Sequence, residues 1–210
     1  MRAKEFVEEA RSHPEQNKKF ASGKAELDHW RRYNKTGPYD NLGISMTMLP
    51  KLGINPKQGV SEDTPKGIYF YPMWYAVKWI DGETELPWGN DFPYIQLFQY
   101  DTSHQLTQQT KIDPAQVKQA LRQYCPEEII ENTEYNNDPY WFIYDCLTQL
   151  GQGDETTIVR WNKVLRDLGF TSVIDHGEGW IAHNEPVQGI ILDPRIIRPV
   201  KTFANYQRQQ

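Results

Sequence analysis

"TPKGIYFYPMWYAVKW", residues 64 to 79, changes character at its midpoint. Ile68, Tyr69, Phe70 and Tyr71 are β-branched or aromatic, the side chains that suit a pleated and half-buried surface. Pro72 lacks an N–H for a ladder and stops that strand. Met73 to Trp79 contain neither Gly nor Pro, so a helical turn is expected directly after the strand.

Upstream, "LGISMTM" (42 to 48) alternates in strand fashion. Leu42, Ile44, Met46 and Met48 are expected on one face, and Gly43, Ser45 and Thr47 on the other. A Pro- and Gly-studded loop joins this segment to the aromatic strand. Residues 3 to 33 are expected to form one or two polar helices broken near Pro14. Phe6, Phe20, Leu27 and Trp30 are too sparse there for an independent core, so the stretch should pack on the rest of the fold or act as an arm. "KTGPYDN" follows as a turn cluster.

Downstream, "YIQLFQYD" (94 to 101) is the clearest strand. Helices then dominate. "DPAQVKQALRQY" opens with Asp113 as N-cap and Pro114 at the first helical position. "PYWFIYDCLTQLG" is helical or mixed, and "GQGDE" closes it and caps the next helix. "DETTIVRWNKVLRDLG" places Ile158, Trp161, Leu165 and Leu168 on one stripe and stops at Gly169. "FTSVID", "WIAH", "VQGIILD" and "IRPVKTF" are expected as strands, with a turn at "HGEG". Strands surrounding an inserted helical region predict an α+β fold with a mixed or mostly antiparallel sheet. The expected divisions are 1–36 as an N-terminal helical segment, 37–204 as the main domain and 205–210 as a flexible tail.

At 210 residues the chain suits one domain with an appended segment. Its 38% hydrophobic content is low, but 13% aromatic residues can still build a core because each ring buries a large area. Charges of both signs are interspersed, against wholesale disorder. The net charge of -5 gives no global attraction to phosphate. Cys125 and Cys146 are too few for a disulfide framework and are expected as buried free thiols. No segment has the length and apolarity of a membrane span or a signal h-region, so the expected location is a cytoplasm, the producer's or that of a host.

The usual catalytic signatures are missing. No Gly-rich phosphate loop follows a strand, neither cysteine has a nearby His, and no nucleophile elbow occurs. His176 and His183 flank a turn with Asp175, Glu178 and Glu185, but no recognised metal-ligand spacing is present, and no metal is expected.

Three segments, in order, resemble the ADP-ribosyltransferase fold in its poly(ADP-ribose) polymerase and diphtheria-toxin-like branch, with bacterial and phage relatives. "GIYFYPMWYAVKW" is similar to the strand and helix that line the nicotinamide pocket. "SMTMLPKLGINP" is similar to the first-strand signature, although Ser45 stands where many relatives carry His. "GFTSVIDHGEGWIAHNEPVQGIILDPRIIRPV" resembles the closing element. The resemblance implies a split β-sheet and an NAD-dependent transferase, with NAD as substrate.

It also implies the site. A carboxylate near the ribose stabilises the oxocarbenium-like transition state, a role for Glu185. Aligning on "LDP" instead puts Gln188 at the usual Glu position, so the two compete for the place facing NAD. Ser45, Thr47, Gly67 and His183 are implied NAD-binding residues, with Tyr69, Tyr75 and Trp79 competing to stack on nicotinamide. A macromolecular acceptor, protein or nucleic acid, and an antitoxin or similar partner are implied, as for toxins and effectors in bacterial or phage conflict. Two other outcomes share the fold: a non-catalytic binding module, and an NAD glycohydrolase.

Overall fold

A computed structural model of the protein describes residues 22–34, 39, 41–52, 64–86, 92–177, 179–181 and 187–205. Among these residues seven strands form one sheet: β1 (Leu42–Thr47), β2 (Ile68–Pro72), β3 (Tyr94–Tyr100), β4 (Gln105–Leu106), β5 (Ser172–Ile174), β6 (Gly189–Ile191) and β7 (Ile197–Ala204). Their spatial order is β4-β5-β6-β2-β1-β3-β7. β4 runs parallel to β5 and every other pair is antiparallel, so the sheet is mixed. Helices α1 (Gly23–Asn34) and α2 (Met73–Ile80) precede β3. The inserted helical region is α3 (Pro114–Leu121), α4 (Glu127–Asn132), α5 (Pro139–Thr148) and α6 (Asp154–Asp167). The chain is therefore α+β with helices inserted between strands, as its element pattern predicts.

Local chemistry accounts for the helix starts. Asp113 accepts a hydrogen bond from Ala115 N at 2.9 Å, with Pro114 at the first helical position. Asp138 does the same for α5, accepting from Tyr140 N at 3.0 Å and Trp141 N at 3.2 Å. Gly153, at φ 81°, starts α6 in a conformation that L side chains rarely adopt.

One face of the sheet is covered by helices in two blocks. α1 and α2 cover β1, β3 and part of β2, burying Leu27, Ile44, Met73, Ala76, Ile95, Leu97 and Phe203. The inserted helices cover β5, β6 and the start of β2, burying Leu121, Phe142, Trp161, Leu165, Val173 and Ile190. The opposite face carries a smaller cluster of Ile68, Phe70, Phe98, Tyr100, Ile174 and Ile191. α1 is tied down by buried Leu27 and by an ion pair of Glu26 with Lys201 at 2.9 Å. Arg31 also holds Asp81, which follows α2, through two bonds of 2.6 and 2.9 Å.

Several expectations need correction. Trp180 and Ile181, expected as strand, lie in bends outside any ladder, because their N–H groups go to the Asp175 carboxylate. Ala182 and His183 of that segment lie outside the described residues. β6 is confined to Gly189–Ile191, shorter than the expected strand. Met48 falls beyond the end of β1 and is 59% exposed. The short helix α4 was not legible as a separate element, and β7 is the longest strand of the sheet at eight residues.

Candidate functional site

β2 changes partner along its length. Ile68, Tyr69 and Phe70 pair with Ile191, Ile190 and Gly189 of β6, whereas Tyr71 and Pro72 pair with Ile44 and Gly43 of β1. β1 continues through Ser45, Met46 and Thr47, still laddered to Gln96, Ile95 and Tyr94 of β3 but not to β2. The sheet is therefore forked, with Ser45–Thr47 on one arm and Gly67–Phe70 on the other. Main-chain groups on the facing edges of such a fork are strong donors and acceptors.

The arm carrying β2 is fixed from behind. Asn162 of α6 donates from Nδ2 to Lys66 O at 2.5 Å and to Leu192 O at 3.2 Å. Lys66 N donates to Ile158 O at 3.1 Å. At Gly67 a Cβ would lie 2.6 Å from the Ile191 carbonyl oxygen. Glycine there allows β2 and β6 to approach, a packing role in addition to the implied NAD contact.

The helix-covered blocks meet along β2, since Tyr69 belongs to one cluster and Tyr71 to the other. Strand alternation continues the row of Val173, Ile190 and Tyr69 into Asp175, Gln188 and Tyr71 on the same face. Asp175 N donates to Gln188 O at 2.8 Å, which extends the β5–β6 ladder by one rung. Gln188 is 8% exposed, and its Oε1 has no hydrogen-bond partner among the described residues. The Asp175 carboxylate accepts from Gly177 N at 2.9 Å, from Ile181 N at 3.1 Å and from Trp180 N. Beside this row, half-buried Trp74 of α2 lies nearly parallel to exposed His176, with ring centroids 6.3 Å apart.

The sequence-predicted residues fall into separate places. Ser45 and Thr47 lie on the face of Gly43, Phe70 and Phe98, opposite the face of Tyr69 and Gln188. Ser45 is 4% exposed. Thr47 donates to Leu49 O at 2.7 Å and accepts from Gln96 Nε2 at 3.3 Å, so its hydroxyl is engaged. Tyr69 is half-buried, with its hydroxyl 2.5 Å from Thr64 Oγ1 and 3.2 Å from Pro65 O. Tyr75 is buried, with its hydroxyl 3.2 Å from Thr84 Oγ1, and buried Trp79 packs beneath the Lys24 ammonium, 4.8 Å from its ring centroid. His183 and Glu185 lie outside the described residues.

Two residues in or beside this row were missed in the sequence. Trp74 was legible in principle, because Met73, Tyr75, Ala76 and Trp79 form the buried stripe of α2 and turn position 74 away from it. Asp175 was noted only as one charge of a turn. Nothing in its spacing announced that three backbone amides would converge on it. Among the described residues no three His, Cys, Asp or Glu side chains group as metal ligands, and no helix is long and apolar enough to cross a membrane. No family model matches the chain, and no curated protein or solved structure shows significant similarity to it.

Proposed function

We propose that the chain is an NAD-dependent ADP-ribosyltransferase, acting as a toxin or effector on a protein or nucleic-acid acceptor in a bacterial or phage setting. NAD would occupy the cleft where β2 changes partner. The observation that carries this reading is the fork itself. A split sheet is what the three motif resemblances imply, and the first two motif strands part next to Phe70, where the pairing of β2 with β6 ends.

The chemistry follows from that placement. The bond from ribose C1′ to the nicotinamide nitrogen breaks, nicotinamide leaves, and an acceptor nucleophile bonds to C1′. Glu185, three residues before Gln188 in the sequence, supplies the carboxylate that stabilises the oxocarbenium-like ribose. Gln188 offers a buried acyl oxygen to a ligand hydroxyl or amide N–H. Trp74 is the half-exposed ring of α2 and offers a face to a flat cationic ring. In this reading the cytoplasm, of the producer or of a host, is the place of action.

A second reading is favoured by one observation: the buried side chain at the entrance of β6 is an amide, not a carboxylate. It makes the chain a non-catalytic module of the same fold. Incubation with labelled NAD and a cell lysate separates the two. Label on a macromolecule that is lost in Glu185→Gln supports the transferase. Free nicotinamide without label transfer indicates a glycohydrolase. Neither signal, together with no NAD-induced thermal shift, removes both enzyme readings.

A further inference from the structure

The turn after β5 is organised by a single side chain. Asp175 is 2% exposed, and its two carboxylate oxygens accept from the main chain of Gly177, Trp180 and Ile181. Its own N–H holds the Gln188 carbonyl at 2.8 Å. One residue thus links the end of β5, the turn up to Ile181 and the entrance of β6. The next residue, His176, is the one whose ring lies along Trp74. A carboxylate is suited to this place because it only accepts, whereas the NH₂ of an asparagine would confront a main-chain N–H.

We propose that the Asp175 carboxylate positions the cleft: by gathering the amides of Gly177, Trp180 and Ile181 it fixes the turn that sets His176 against Trp74 beside Gln188. This role rests on the reading of the cleft as an NAD site. A purely structural Asp175 would stabilise the turn and nothing more. The two are separated by affinity rather than by stability.

The test uses the full chain and NAD itself. Asp175→Asn is expected to raise the NAD Kd tenfold or more while its circular dichroism remains that of the wild type. Val117→Ala, which trims a fully buried side chain of α3 away from the cleft, is the stability control. It is expected to lower Tm and keep the wild-type Kd. An Asp175→Asn protein that binds NAD within twofold of wild type overturns the role, whatever its Tm. So does a Val117→Ala protein that loses affinity to the same degree. If Asp175→Asn does not fold, His176→Ala at an exposed position reads the same claim: a Kd raised severalfold at unchanged Tm supports it, and a wild-type Kd overturns it. A wild-type protein that binds no NAD removes the NAD reading itself and the Asp175 role with it. Binding by wild type with no loss in the variants removes only the latter.

Discussion

Gln188 keeps an acyl oxygen buried without a partner among the described residues. An unsatisfied buried acceptor costs about 1–3 kcal/mol, a cost that a ligand donor would relieve. Replacing it by the similarly shaped, apolar Met should therefore raise the ligand-free Tm by about 2–4 °C, the shift that about 1 kcal/mol gives in a chain of this size. The same variant should lose the NAD-induced thermal shift, and differential scanning fluorimetry reads both. At the other end of β6, the Arg195 guanidinium beside Asp193 holds that carboxyl down at about 2. A depressed folded-state pKa stabilises the fold above the ordinary carboxylate range, and this contribution is lost as pH falls from about 4 through about 2. Arg195→Ala should raise the Asp193 pKa and move acid unfolding to higher pH, as an NMR titration and a pH melt would show. At this scale the sequence was least transparent. Tyr75 and Trp79 look as able to stack on a ligand as Trp74, and only their place on the buried stripe of α2 separates them. The competition between Glu185 and Gln188 is likewise a matter of side-chain direction.

The elements were far more legible, because periodicity and capping are local. β2 stops at Pro72 and α2 begins at once; α3 starts at Asp113 and α6 ends before Gly169, as the residues dictate. The failure at Trp180 and Ile181 has a non-local cause. Two apolar residues read as strand, but a carboxylate five and six residues earlier takes their N–H groups. The switch of β2 between partners was also invisible, since pairing depends on strands distant in sequence. Glycine makes that switch sterically possible. A Cβ at Gly189 would lie 2.2 Å from Phe70 Cε1 and 2.3 Å from Cζ. Gly189→Ala must displace a fully packed ring, and a destabilisation of about 1–3 kcal/mol is expected, the range for overpacked cores. Urea denaturation should show it as a lowered midpoint with unchanged slope.

Across the whole molecule, two helical blocks lie on one face of the sheet and meet along β2, beside the fork. Cys125 and Cys146 report on the integrity of the inserted block. Burial pushes both thiols up, Cys146 to about 11, so few thiolates are available near neutrality. The native protein should resist an aromatic disulfide reagent at pH 8 and react at both positions only as it unfolds. Fast labelling of the native state would contradict the packing of α5 against its neighbours. The central claim is that NAD binds where β2 exchanges β6 for β1, and amide chemical-shift mapping during an NAD titration tests it most directly. The predicted result is saturable shifts clustered at Ser45–Thr47, Gly67–Phe70, Trp74, Asp175–Gly177 and Gln188. No shifts at millimolar NAD, or shifts confined to the inserted helices or the β7 edge, would contradict it.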